Sequence, residues 1–355
     1  MKCAVLTASE KLVIEEREVP VVGPFDVLIA VEVCGVCRTD RKAFVMGQRD
    51  LTLPRVLGHE IVGRIVELGN QVKNHQAGEL VQVFPGVTCG SCEYCLTGLD
   101  HLCDKMQIIG FHLDGGFAEY LCIRGQGSEP PNLSRVPETL DPRSASLTEP
   151  LACSINMSKR LNMGEAETVL IIGAGPLGIL NAQLASVLGA RNIIIAEPLK
   201  ARRVIAAKVS DCQLDSNEQT AEQVLELTHG RGADVVIPCA SGSAPFRLAL
   251  QTAAKRGRVG FFSGLTDISE LTGHVLNSIH YRELTLTGSY GCSSAGNHEA
   301  LGLLASGRVS MNDIPSRDIS WSELPTFLRC LEPTEQSQLS GHVFTFFLPS
   351  QKASE

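Results

Sequence analysis

The sequence predicts an α/β protein in two parts, a region of many short strands forming a barrel or sandwich and a doubly wound parallel sheet with helices on both faces. Two observations predict it. Up to about residue 155, short apolar runs are punctuated by Gly and Pro. Beyond that point, strand-like apolar runs alternate with segments of helical spacing. A length of 355 residues agrees with two domains at ~150 residues each.

The elements follow in order. The opening MKCAVLTASEKLVIEEREVP mixes polar and apolar residues and then turns acidic, a strand pattern and not a leader. Residues 26–33 alternate, with Val27, Ile29, Val31 and Val33 on one side. Residues 61–68 and 80–84 are similar short runs. Residues 168–172 form a continuous apolar run, as a buried strand does. Over 176–189, Leu177, Leu180, Leu184, Val187 and Leu188 fall at helical spacing. Residues 192–196 are apolar again and 199–209 are helix-like. The runs 233–237, 246–254 (Ala-rich), 258–262 and 284–287 continue the pattern. From Gly291 a helix over 297–306 and short strand-like runs return. The final Gln-Lys-Ala-Ser-Glu reads as a frayed tail.

Composition excludes several functions. Thirty-one basic and 39 acidic residues give a net charge of −8, which repels nucleic acid and anionic membrane in the absence of a basic patch. No apolar run is long enough to span a bilayer. Thirteen cysteines without a targeting signal point to a reducing compartment, the cytoplasm, where thiols stay free or bind metal.

Residues 168–178 read TVLIIGAGPLG. Gly173, Gly175 and Gly178 form G-x-G-x-x-G between a strand and a helix. The first permits a tight turn, the second lets backbone approach a pyrophosphate, and the third lets helix and strand pack closely. Pro176 and Leu177 open the helix, whose N-terminus favours phosphate charge. Glu197 ends the next strand, 19 residues past Gly178, where a carboxylate grips a ribose 2′-hydroxyl. That favours NAD over NADP. Arg202 and Arg203 lie close enough in sequence to accommodate a 2′-phosphate, although a solvated helix face is their plainer reading.

Cys89, Cys92, Cys95 and Cys103 give C-x2-C-x2-C-x7-C. Four thiols so close suit one tetrahedral zinc with no open position, hence a structural site. An Fe–S cluster is the competitor. The few basic residues around them argue against a nucleic-acid-binding zinc ribbon. Cys37, His59 and Glu149 are donors from distant segments. Three such ligands would leave a catalytic zinc one open position. Taken singly, each has a plainer reading: a redox pair with Cys34, a structural histidine, a turn at Glu-Pro. The residues alone do not assemble them.

Together these motifs resemble the zinc-dependent medium-chain dehydrogenase/reductase family. Residues 58–72, GHEIVGRIVELGNQV, fit its zinc signature at every specified position, and the resemblance covers almost the whole chain. It implies a GroES-like β-barrel catalytic domain (1–155 and 291–355, with a zinc lobe at about 86–105) and a Rossmann domain (156–290). It implies two zinc ions. Cys37, His59 and Glu149 would bind the catalytic one, with Glu60 beside it and exchanging with water or Glu149. Asp40 would hold the second nitrogen of His59, Thr39 would relay the substrate proton, and Arg38 would touch the cofactor pyrophosphate. Glu149 in Glu-Pro-Leu resembles the polyol branch, and the substrate expected is a secondary alcohol of polyol, sugar or cyclitol type. A threonine-like hydroxy amino acid or a vicinal diol is the alternative. A non-catalytic NAD-binding sensor or scaffold is the alternative of a different class; loss of Cys37, His59, Glu149 or Thr39 would have favoured it, and all four are present. The resemblance also implies a homodimer or homotetramer. Residues 124–131 look longer than the family's usual segment.

Overall fold

The computed structural model describes residues 1–125, 130, 132–265, 267–330 and 342–349. The core of the long segment 124–131 and the C-terminal tail lie outside the described residues.

The first part is β-rich. Lys2–Ala8 and Lys11–Glu16 form an antiparallel hairpin, which Arg55–Val56 extends. The main sheet is built around Val27–Gly35. That strand pairs antiparallel with Glu60–Leu68 and Tyr120–Ile123, and Glu60–Leu68 pairs in turn with Leu80–Val83. Val27, Ile29, Val31 and Val33 are buried as the alternation predicts. Leu28, on the opposite face, is buried too, whereas Ala30 and Glu32 on that face are half-buried. The chain's late strand Phe344–Phe347 returns to this sheet and pairs with Cys34 and Gly35.

The second part is a six-stranded parallel sheet. Its strand order is Cys212–Leu214, Asn192–Ala196, Thr168–Ile172, Ala233–Pro238, Ala253–Phe261 and Thr285–Gly288. This doubly wound order reverses direction beside Thr168–Ile172, so a crevice opens at the C-terminal end of that strand. The sheet is buried on both faces. Val169, Ile171, Ile193 and Ile195 face one core, and Leu170, Ile172, Ile194 and Ala196 face the other. The first of these cores also takes in Val33, Val62 and Phe84 of the β-rich sheet, so one apolar layer runs through both parts.

Two helices join them. Thr148–Arg160 packs on Pro176–Val187 and on Ser294–Ala305. Gln82 and Asn297, both buried, exchange side-chain hydrogen bonds across this junction. Among the described residues, no helix is long and apolar enough to cross a membrane.

Candidate active site

The barrel register sets the first cluster. Gly35 is paired with Glu60, so Cys37 follows one strand end closely and His59 immediately precedes the other. Cys37 is the N-cap of the helix Arg38–Met46, and its Sγ lies 3.4 Å from His59 Nε2. Glu60 folds over Gly35, where a Cβ would stand 1.9 Å from Glu60 Oε2. Only glycine leaves room for that carboxylate. The donor atoms of Cys37, His59 and Glu60 all lie within 4.8 Å of one another.

Asp40 organises the cluster. It is fully buried on the first turn of the helix. Its Oδ2 accepts from Cys37 N at 3.0 Å and its Oδ1 from Gly58 N at 3.2 Å. Its Oδ1 also stands 3.2 Å from His59 Nδ1, off the line of a well-formed hydrogen bond. One carboxylate thus fixes both ligand-bearing segments and faces the second imidazole nitrogen, as it does around metal-bound histidines. Thr39 and Arg38 are exposed at the start of the same helix. Cys34 is wholly buried and outside the cluster.

The electrostatics suit a cation. Burial pushes the Cys37 thiol up to about 12. Burial pushes Glu60 up to about 8, and the neighbouring charges of Glu149 and Asp40 add to the rise. These donors can be anionic only if positive charge arrives, and a divalent metal needs deprotonated ligands. The set of thiol, imidazole and carboxylate is one that zinc takes in sites with an open position.

Glu149 falls in a neighbouring cluster with Cys153 and Cys292. It sits in the first turn of the helix Thr148–Arg160. Glu-Pro here is therefore no turn, since Pro150 in a first helical turn gives up no hydrogen bond the helix would make. Cys153 and Cys292 join Glu149 although neither belongs to a motif in the sequence. The spacing Glu149-x3-Cys153 was available as a signal, but Cys292 is brought in only by the fold.

The four other cysteines also converge. Cys92 and Cys95 sulfurs are 3.5 Å apart, Cys103 and Cys89 3.5 Å, and Cys89 and Cys95 3.9 Å. A tetrahedral zinc with bonds of ~2.3 Å separates its sulfurs by ~3.8 Å, so these residues fit one ion. The Ser91 and Cys92 amides draw the Cys89 thiol down to about 6, while burial pushes Cys95 up to about 12.

The nucleotide turn stands at the crevice of the parallel sheet. Gly173 has φ of +107°, and its N–H donates to Ala196 O at 2.7 Å. Gly175 is the N-cap and Pro176 opens the helix with Leu177. A Cβ on Gly175 would meet only Arg202 Nη1, at 3.7 Å, so the space above it is otherwise open to a phosphate. A Cβ on Gly178 would stand 1.9 Å from Gly173 O. Gly178→Ala must therefore displace the turn. A loss of NADH affinity of roughly tenfold or more is expected, read by fluorescence titration; unchanged affinity would remove this turn from the binding site. Glu197 is buried, and its carboxylate accepts from Ala174 N at 2.7 Å and Leu199 N at 2.9 Å. Arg203 pairs with Asp215 and with the carbonyls of Glu197 and Pro198, away from the turn.

Comparison with known proteins agrees with this geometry. Residues 23–130 match the alcohol dehydrogenase GroES-like domain, and residues 176–306 match the zinc-binding dehydrogenase domain. The chain is 31% identical to the L-galactonate-5-dehydrogenase of Escherichia coli K12 over 87% of its length and 89% of that protein. It is 32% identical to the L-threonine 3-dehydrogenase of Pyrococcus horikoshii over 78% of each chain. A crystal structure described as a zinc-binding dehydrogenase from Sinorhizobium meliloti 1021, bound to NADP, superposes with a TM-score of 0.86. It has 30% identity and covers 98% of this chain and 99% of that one. The barrel with its buried thiol–imidazole–carboxylate cluster and the doubly wound sheet with its glycine turn thus belong together, and the chain is a member of the zinc-type medium-chain alcohol dehydrogenase family.

Proposed function

We propose that this oxidoreductase oxidises a secondary alcohol of polyol, sugar or cyclitol type, with NAD as the acceptor. The observation that carries the reading is the buried Cys37–His59–Glu60 cluster, with Glu149 beside it on the helix that packs against the nucleotide-binding helix. Glu149 matches the polyol branch of the family. The similarity to L-galactonate-5-dehydrogenase, named for a polyhydroxylated acid, supports the same class.

When bound, zinc supplies Lewis acidity and the dinucleotide supplies a hydride acceptor. The chain's residues do the rest. Cys37, His59 and Glu149 would hold the metal, with Glu60, whose carboxylate lies within 4.8 Å of the Cys37 and His59 donors, exchanging with water or Glu149. Asp40 fixes the tautomer of His59. Thr39 passes the substrate hydroxyl proton toward solvent from its exposed position. Gly173, Gly175, Pro176, Leu177 and Gly178 cradle the pyrophosphate, with Arg202 and Arg38 at its edges. The Glu197 carboxylate receives the ribose hydroxyls and repels a 2′-phosphate. Cys89, Cys92, Cys95 and Cys103 hold a structural zinc.

The proposal includes the division into a catalytic domain (1–155 and 291–355) and a dinucleotide domain (156–290), a homodimer or homotetramer, and a cytoplasmic location suited to free thiols.

The test is NADH formation by the zinc-loaded protein against cyclitols, alditols, aldoses, 2,3-diols and threonine, with NADP⁺ in parallel. Strong turnover of a polyol or sugar with NAD⁺ is the expected result. Activity on threonine alone would favour the second reading, which the Pyrococcus relative supports. Silence across the panel with zinc and NAD⁺ both bound would point to a nucleotide sensor.

A further inference from the structure

We propose that Glu149, Cys153 and Cys292 form a second binding position for a soft divalent cation, beside the Cys37–His59–Glu60 cluster.

Glu149 and Cys153 lie one turn apart on Thr148–Arg160, hence on one face of that helix. Cys153 Sγ stands 3.3 Å from Glu149 Oε1. Cys292 arrives from the segment between Thr285–Gly288 and Ser294–Ala305. That segment is tied to the same helix, because Asn156 Nδ2 donates to Gly291 O at 2.9 Å. The three donor atoms lie within 4.8 Å of one another, and a tetrahedral ion with bonds of ~2.0–2.3 Å holds its ligands ~3.3–3.8 Å apart. Small movements of Cys292 and Cys153 would close the set. Cys292 is 4% exposed, whereas Glu149 and Cys153 are half-buried, so an ion has a way in. Two thiols and one carboxylate select zinc or cadmium over magnesium or calcium.

The position shares Glu149 with the catalytic cluster as proposed above. A cation held here takes that carboxylate away from the other site. Excess soft metal should therefore slow turnover without removing the catalytic zinc. The binding claim itself does not depend on the substrate or on the proposed reaction.

The experiment adds Cd²⁺ to the zinc-replete, full-length protein. Bound cadmium and retained zinc are counted by elemental analysis after gel filtration, and thiolate-to-cadmium absorption is followed in the near ultraviolet. We expect one cadmium per chain to bind with new thiolate absorption and without release of zinc. Cys153→Ser and Cys292→Ala should each weaken this uptake by ~10–100-fold. Cys153→Ser, at a half-exposed helix position, serves if the buried Cys292 variant does not fold. Three results would overturn the proposal: no added cadmium, one zinc released for each cadmium bound, or a folded Cys153→Ser protein that binds as tightly as the parent.

Discussion

Replacement of Cys37 by Ser is expected to cut turnover by at least ~10³-fold while leaving a folded protein that still binds NADH. The thiolate is the softest donor of the cluster, and a Ser hydroxyl does not ionise at neutral pH to replace it. Folding should survive, because residue 37 is a helix N-cap and Ser is among the best residues for that position. The nucleotide turn is built from other elements, Thr168–Ile172 and Pro176–Val187. Three measurements on one preparation decide the matter: turnover, zinc content and NADH affinity. Loss of NADH binding along with activity would mean that residue 37 acts through the fold and not as a ligand.

Cys92→Ser should act on stability instead. The segment around Cys89–Cys103 has almost no core of its own. Its helix Glu93–Leu96 is four residues long and buries nothing, and Tyr94, Leu96, Leu99 and Leu102 are all exposed. Of the four thiols only Cys103 is buried. The shape of this lobe therefore rests on whatever draws its sulfurs together, and metal binding there is folding free energy. Losing one ligand should cost about 3–5 kcal/mol and lower the melting temperature by on the order of 10 °C. Prolonged chelation of the parent protein should give the same shift. A normal melting temperature with lost activity would contradict the structural role.

The parallel sheet was legible because burial on both faces writes itself as unbroken apolar runs. The strands Thr168–Ile172 and Asn192–Ala196 have the predicted bounds, and the helix Pro176–Val187 begins where the glycine spacing puts it. The helices that carry the site were not legible. Arg38–Met46 opens with Arg-Thr-Asp-Arg-Lys, with little apolar periodicity to mark it. Thr148–Arg160 opens with Glu-Pro and continues through Cys, Ser and Asn, and it is helical because it packs between two others. The site residues themselves were named from motif and resemblance. The resemblance gave Glu149 as the third ligand with Glu60 beside it; that Glu60 stands nearest Cys37 and His59 depends on the missing side chain of Gly35 and on the pairing of two strands. Cys292 meets Glu149 only through tertiary structure.

The late strand Phe344–Phe347 has a consequence for synthesis. It pairs with Cys34 and Gly35, and Thr345 O accepts from Val36 N at 2.9 Å, directly before Cys37. Phe347 also sits in the barrel core against Phe117 and Trp321. As the chain leaves the ribosome, the six-stranded parallel sheet is complete well before this strand emerges. The β-rich sheet still lacks this strand, through which Ser316–Ile319 also joins it, next to Cys37. The parallel sheet can thus form first, while the β-rich sheet is completed by a strand made later. A nascent chain stalled ahead of residue 344 would then carry a formed dinucleotide crevice beside a β-rich sheet that still lacks the strand next to Cys37.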